Sequence, residues 1–259
     1  MESAAAPAPE RSRDDLKIIT VISIAHGLSH FFHLILIPLF PWIKEAFDLS
    51  YAELGLLVTV FFFVSGIGQA TAGFIVDRVG AVPVLLASLA LFAIAAFGLS
   101  LSPNYASLMG FMVVAGIGNA AFHPIDYSII NARIGAARLG RAYAIHGISG
   151  NLGWAAAPAF LVGVAQFGGW RGAVAAAGVV SLAILALVWH NRRLLHGSAP
   201  HARSAGAAAG DAASTFGFLR LPAVWMSFAF FLAYAFSLGA IQSFGPESAR
   251  VLHDVPVQL

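Results

Sequence analysis

Long stretches without a charged residue constrain this 259-residue chain more than any other feature of its sequence. Charged side chains make up 10% of the residues, against roughly 25% in soluble domains. They separate uncharged runs that can each hold a membrane span of about 20 residues. These runs cover residues 18–43, 54–76, 79–125, 142–170, 172–191 and 221–246. The pattern excludes an ordinary soluble protein and predicts a membrane protein.

The longest run can hold two spans, because Ser102-Pro103-Asn104 near its middle favours a turn. We therefore predict an all-α, polytopic helix bundle of six spans with a seventh span after it. The predicted limits are 18–40, 54–76, 82–101, 106–128, 142–165, 172–190 and 222–244.

The basic residues predict the orientation, because cytoplasmic loops retain Lys and Arg. Three of them fall on one side of the membrane: Lys44, Arg171 and Arg250. The other eleven fall on the opposite side: Arg11, Arg13, Lys17, Arg78, Arg133, Arg138, Arg141, Arg192, Arg193, Arg203 and Arg220. We expect a cytoplasmic N-terminus, an outside C-terminus and a place in the plasma (inner) membrane.

Composition divides the chain into four parts. Residues 1–16 are expected to be a polar cytoplasmic tail, and residues 17–190 a six-span bundle. Residues 191–216 are rich in Ala, Gly and Ser and predict a flexible cytoplasmic linker. Residues 217–259 would be the seventh span and an extracytoplasmic tail.

The loop between the second and third spans contains Gly73, Asp77, Arg78 and Gly80 in the pattern GxxxDRxG. Gly73 would permit close helix approach, and Gly80 suits a helix C-cap. A carboxylate at a helix C-terminus opposes the helix dipole. We therefore expect Asp77 to pair with Arg78 or with the arginines after the fourth span.

This pattern resembles the signature loop of the major facilitator superfamily. Residues 17–259 resemble the first seven spans of that family, whose members have six spans, a linker and six more. The resemblance extends to the fosmidomycin-resistance-like exporters through residues 116–124 and 147–153. It implies a gating role for the loop and a second half on a missing part of the protein.

Two departures from the family pattern limit what the resemblance implies. Ala81 and Val82 follow the loop, where the family usually has basic residues. Met112 stands where many drug exporters have an arginine linked to proton coupling. Proton coupling would therefore use other groups.

Three histidines of the first span form one polar stripe. His26, His30 and His33 lie within about 60° of one another on a helix. An ionisable stripe in a span is expected to line a cavity, and histidine suits proton transfer. Neutral histidines bonded to neighbouring helices are one alternative. A metal site ranks last, because no carboxylate joins the stripe.

Further polar residues of the predicted substrate and proton pathway are Asn119, His123, Asp126, His146 and Asn151. If the fourth and fifth spans form a hairpin, His123 should contact His146 or Asp126. Asp126 is either a gate or coupling group, or a carboxylate at the membrane interface.

The fifth span carries Gly147, Gly150, Gly153 and Pro158, a pattern that favours close packing and bending. Trp154 lies deep in this span and either lines a cavity or packs against a neighbour.

The sequence favours a secondary transporter of small organic molecules, used for drug or metabolite export and driven by protons. Its expected partners are the lipid bilayer, the substrate and protons, with no nucleic acid, cofactor or metal. A non-transporting sensor is one alternative. An intramembrane serine protease is another, because Gly147-Ile148-Ser149-Gly150 resembles a GxSG nucleophile box. Such a serine needs a histidine on a facing helix. The sixth span has only His190, at its far end, and the seventh has none, so we expect no enzyme.

Overall fold

A computed structural model describes residues 9–196 and 220–253, and all regular structure in these ranges is helical. The helices are α1 (Pro9–His33), α2 (Phe40–Phe47), α3 (Tyr51–Val79), α4 (Ala81–Leu101), α5 (Tyr105–Asn119), α6 (Phe122–Arg133), α7 (Leu139–Leu195) and α8 (Pro222–His253). Short 3-10 helices at Ile37–Leu39 and Ala136–Arg138 precede α2 and α7. The chain is thus a polytopic all-α membrane protein.

Within the described residues, six helical stretches are long and apolar enough to cross a membrane. The longest contains the 57 residues of α7, which at 1.5 Å per residue reach roughly 85 Å, far beyond a bilayer core of about 30 Å. Gly169 interrupts it with the non-helical angles φ 65° and ψ 176°. This break lies between the predicted fifth and sixth spans and leaves room for one crossing on each side.

The first helix begins earlier than predicted. Residues 9–16 belong to α1 rather than to a polar tail, and residues 1–8 lie outside the described ranges. Asp15 explains the extension, because it is buried and its Oδ2 lies 2.6 Å from Arg138 Nη2.

The predicted linker also starts later in the structure. Residues 191–195 complete α7, where Arg192 and Arg193 in the last turn complement the negative end of the helix dipole. The remainder of the predicted linker, 197–216, lies outside the described residues.

The fourth span is broken into α5 and α6 at Ala120 and Ala121, where we predicted a continuous helix. Pro124 accounts for the break, because it has no N–H to donate to the carbonyl of Ala120. The interruption separates α5 from α6, which carries His123 and Asp126.

Local sequence explains the other helix boundaries. The hydroxyl of Ser50 accepts a bond from the N–H of Glu53 at the start of α3. Asn104 caps α5 in the same way, at the turn predicted there. Gly80 ends α3 with φ 94°, a conformation favourable for glycine.

Helices α1–α7 belong to one compact unit, in which α1 packs on α7, α4 packs on α5 and α7, and α3 packs on α5. Among the apolar helical stretches of the described residues, Arg13–Phe47, which contains most of α1 and all of α2, is the most deeply buried. The second unit contains α8, where Arg250 and Glu247 form an ion pair of 2.6 Å.

The closest backbone approach between α1 and α7 is at Gly27 and Gly153. A Cβ atom at position 153 would overlap the carbonyl of Gly27. Small residues permit such approaches in membranes, where packing drives association. This contact sets the register of α1 against α7.

Gly153→Ala should destabilise the protein by about 1–3 kcal/mol, because the added methyl overpacks the contact with Gly27. Gly147→Ala is the matched control, since nothing lies within 4 Å of its Cβ position and Ala favours helices. Denaturant unfolding of the purified chain, followed by circular dichroism, measures both. Equal stability of the two variants would contradict the proposed contact.

Candidate functional site

A buried carboxylate lies where α1, α6 and α7 meet. Asp126 on α6 is fully buried, and its Oδ2 lies 3.0 Å from His26 Nδ1 and 3.0 Å from His146 Nε2. Both histidines are buried as well. Residues from the predicted first, fourth and fifth spans therefore converge on one oxygen atom. We call Asp126, His26 and His146 the carboxylate triad.

The two contacts of the triad are not equivalent. His146 Nε2 forms a hydrogen bond with Asp126. His26 Nδ1 is equally near, yet it has no hydrogen bond partner, and neither has Asp126 Oδ1. The His26 and His146 rings stack, with centroids 3.6 Å apart. Because an isolated buried charge is costly, this carboxylate depends on donors or cations supplied by the histidines.

The rest of the histidine stripe extends from the triad along α1. The His30 ring centroid lies 4.5 Å from that of His26 and 4.8 Å from that of His33. Trp154 lies 4.5 Å from His30 by ring centroids, and its Nε1 donates to His33 Nδ1 over 3.1 Å. His30, His33 and Trp154 are only partly buried. This outer group offers aromatic faces and polar nitrogens to a solute.

The triad and its neighbours His30, His33 and Trp154 together form what we call the cluster. His123 lies at the edge of this cluster and is not part of the triad. Its ring centroid is 5.3 Å from that of His26, 6.4 Å from that of His146 and 5.9 Å from that of Tyr127. We expected His123 to contact His146 or Asp126. In the structure the short contact between α6 and α7 runs through Asp126 and His146.

The two asparagines of the predicted pathway have different environments. Asn119 is buried and donates from Nδ2 to Ser65 Oγ on α3 over 2.7 Å, leaving its Oδ1 without a partner. Asn151 is exposed and lies outside the cluster. Sequence reasoning missed Ser65, since a lone serine in an apolar span has no distinguishing pattern.

The glycines of α7 have separate roles. A Cβ at Gly150 would lie 2.7 Å from His30 Cε1 and 3.0 Å from His26 Nε2, so the absence of a side chain leaves space for these rings. A Cβ atom at Gly153 would overlap the backbone of Gly27, whereas nothing lies within 4 Å of the Cβ position of Gly147. Pro158 lies inside α7, one turn beyond Trp154.

The loop motif lies apart from the cluster. Asp77 and Arg78 are exposed, and in the described part of the chain Asp77 has no ion pair. The expected pairing with Arg78 or the later arginines is therefore absent, because an exposed carboxylate is hydrated and Arg138 pairs with Asp15 instead. Gly73 has nothing within 4 Å of its Cβ position, so it makes no close helix approach here.

The geometry bears on Asp126 and disfavours an intramembrane protease. Asp126 is completely buried among the helices. The hydroxyl of Ser149 donates to the backbone carbonyl of His146 over 2.7 Å, and the His146 Nε2 is bonded to Asp126. Ser149 has no arrangement suited to a nucleophile.

Chemically, the triad can hold a proton, because two imidazole nitrogens flank one carboxylate oxygen in a buried setting. The same atoms all lie within 4.8 Å of one another, which is also compatible with a metal ion.

Comparison with known proteins places the chain in a family. Residues 22–253 match the sequence model of the Major Facilitator Superfamily. The uncharacterized MFS-type transporter YfnC of Bacillus subtilis is 29% identical over 182 residues, which are 68% of this chain and 44% of that protein. The Fosmidomycin resistance protein of Escherichia coli is 23% identical over 156 residues, 60% of this chain and 38% of that protein. The chain thus spans less than half the length of these relatives.

The fold of this chain is similar to that of a solved transporter structure. The crystal structure of a bacterial homolog to the human lysosomal transporter Spinster, in an inward-facing and occupied conformation, gives a TM-score of 0.76 at 20% identity. The match covers 98% of this chain and 57% of that chain. At this identity the likeness shows the fold alone.

Proposed function

The chain belongs to the major facilitator superfamily of membrane transporters, and we propose that it forms one half of a proton-driven exporter of small organic molecules. Because the family consists of transporters, the chain is not an enzyme. We place it in the plasma (inner) membrane with its N-terminus in the cytoplasm, on the basis of the uneven distribution of Lys and Arg.

One observation carries the proton part of the proposal. Asp126 is completely buried in a membrane bundle, and two histidines from other spans contact the same oxygen. Ionisable groups are costly in this setting and are typical of proton pathways. In the proposal the triad gains a proton in one state and loses it in the other.

We assign the substrate to the outer part of the stripe. His30, His33 and Trp154 are partly buried and present ring faces and nitrogens next to the triad. His30 contacts both His26 and Trp154, so it connects the proton site to the substrate site. A small organic molecule whose polar or anionic groups bind the ring nitrogens fits this lining.

Other polar residues have supporting roles in the proposal. His123 borders the pathway beside the triad, and Asn119 presents its free Oδ1 deeper between α3 and α5. The exposed loop with Asp77 and Arg78 serves as a gate against a facing bundle.

Alternating access requires two bundles that rock about a shared site. The unit of α1–α7 supplies one wall, and we propose that a second six-helix half supplies the other. A non-transporting sensor would use the same wall for binding without this movement. The family match favours the transporter.

Vesicles that contain only these 259 residues should therefore show no proton-coupled efflux of fosmidomycin. One bundle alone cannot expose a shared site alternately to the two sides of the membrane. Efflux is measured after an imposed pH gradient, with empty vesicles as the control. Efflux above that control, abolished when the gradient is dissipated, would show that a facing half is unnecessary.

Fosmidomycin binding to the purified chain should be linked to proton exchange, because the substrate site adjoins the triad. Calorimetry in two buffers of different ionisation enthalpy gives the number of protons exchanged. We expect His30→Ala to remove this linkage, because His30 contacts both His26 of the triad and Trp154 of the substrate site. His190→Ala, at the far end of α7, is the matched control.

Two results would contradict this assignment. One is binding by the unaltered chain without any proton exchange. The other is a His30→Ala variant that binds with an unchanged pH dependence.

A further inference from the structure

We propose that the carboxylate triad is a binding site for a divalent transition-metal ion, with Zn²⁺ as the representative ion. His26, Asp126 and His146 would each supply one ligand atom. This inference goes beyond the proposed function, because metal binding can be measured without any transport.

The separations of the ligand atoms match a metal centre. Two ligands of a tetrahedral Zn²⁺ lie about 3.3 Å apart when each bond is about 2.0–2.1 Å long. In the structure both imidazole nitrogens lie 3.0 Å from Asp126 Oδ2, and all three ligand atoms are within 4.8 Å of one another. Rotation of the two stacked imidazole rings would be needed to aim both nitrogens at one ion. Three protein ligands with an open fourth position are typical of functional zinc sites.

Unpartnered polar atoms provide a second, independent observation. His26 Nδ1 and Asp126 Oδ1 are buried without a hydrogen bond partner, although both belong to the triad. Burying a polar atom without a partner costs about 1–3 kcal/mol. His26 Nδ1 also lies 3.0 Å from Asp126 Oδ2, and a cation bound between these two atoms would stabilise them. In the described structure no lysine or arginine pairs with Asp126, so no fixed side-chain cation fills this role.

The surroundings allow entry and further coordination. His30 and His123 border the triad, and their half-buried rings lie 4.5 Å and 5.3 Å from the His26 ring by centroids. His123 Nδ1 is another buried nitrogen without a partner. One of these imidazoles, or a water molecule, can occupy the fourth position.

The ligand chemistry selects the class of ion. Imidazole nitrogen suits Zn²⁺, Co²⁺, Ni²⁺ and Fe²⁺, whereas Mg²⁺ and Ca²⁺ prefer sites built from oxygen. The sequence ranked a metal last, because no carboxylate joins the histidine stripe of α1. The structure removes that objection, since α6 places the Asp126 carboxylate against the stripe.

The experiment measures metal binding by the full 259-residue chain, purified in nanodiscs without a histidine tag. Titration with Co²⁺ should give one visible absorption band that saturates at one ion per chain, and Zn²⁺ should displace it. Mg²⁺ in large excess should leave the band unchanged. Asp126→Asn, His26→Gln and His146→Gln should each weaken Zn²⁺ binding by about tenfold or more.

His190→Gln is the matched control, because it removes a histidine outside the cluster and should bind Zn²⁺ as the unaltered chain does. Helicity and a monodisperse elution profile establish that each variant is folded. If Asp126→Asn fails this check, the two histidine variants decide the outcome. Absence of saturable binding, or binding that folded triad variants retain in full, would overturn the proposal.

This outcome is separable from the proposed function. Proton-linked ligand binding is measured with a chelator present, whereas the Co²⁺ titration needs no organic ligand. A chain that binds no metal but exchanges protons would refute only the metal site.

Discussion

The convergence of three spans on one carboxylate is the interaction on which the account of this molecule depends. Asp126 is fully buried and is contacted by histidines from the first and fifth predicted spans. A lone carboxylate in this position would be very costly, so the charge and its partners must be positioned together. The triad thereby links the packing of α1, α6 and α7 to any chemistry that moves a cation through the bundle.

Backbone features bring these side chains together. Gly27 and Gly153 let α1 and α7 approach closely, and Gly150 leaves room for the rings of His26 and His30. Pro124 separates α5 from α6, the helix that carries Asp126. Small residues and a single proline therefore determine which polar groups meet, although none of these residues has a reactive side chain.

Properties that depend on one helix were predictable from the sequence. Charge-free runs predicted the apolar helices, and helical periodicity placed His26, His30 and His33 on one face. Properties that depend on two helices were not. Periodicity contains no information on how deep one helix lies relative to the next, so the pairing of Asp126 with His26 was missed.

Identical residue types also proved to have different environments. Gly153 forms a close contact whereas Gly147 faces open space, and both fit the same small-residue pattern. The expected ion pair of Asp77 was wrong for a related reason, because the helix-dipole argument did not consider that hydration suffices for an exposed carboxylate. The earlier start of α1 depended on the contact of Asp15 with Arg138, far away in sequence.

The most direct test of the central claim is a double-mutant cycle on Asp126→Asn and His146→Gln, measured as free energies of unfolding of the purified chain. We predict a coupling energy of about 1–3 kcal/mol, within the range for contacting groups of one network. A parallel cycle with Asp77→Asn and His146→Gln should be additive within about 0.5 kcal/mol, because Asp77 is exposed and lies apart from the cluster. Additivity of the Asp126 and His146 substitutions would contradict the claim that the buried carboxylate holds these spans together.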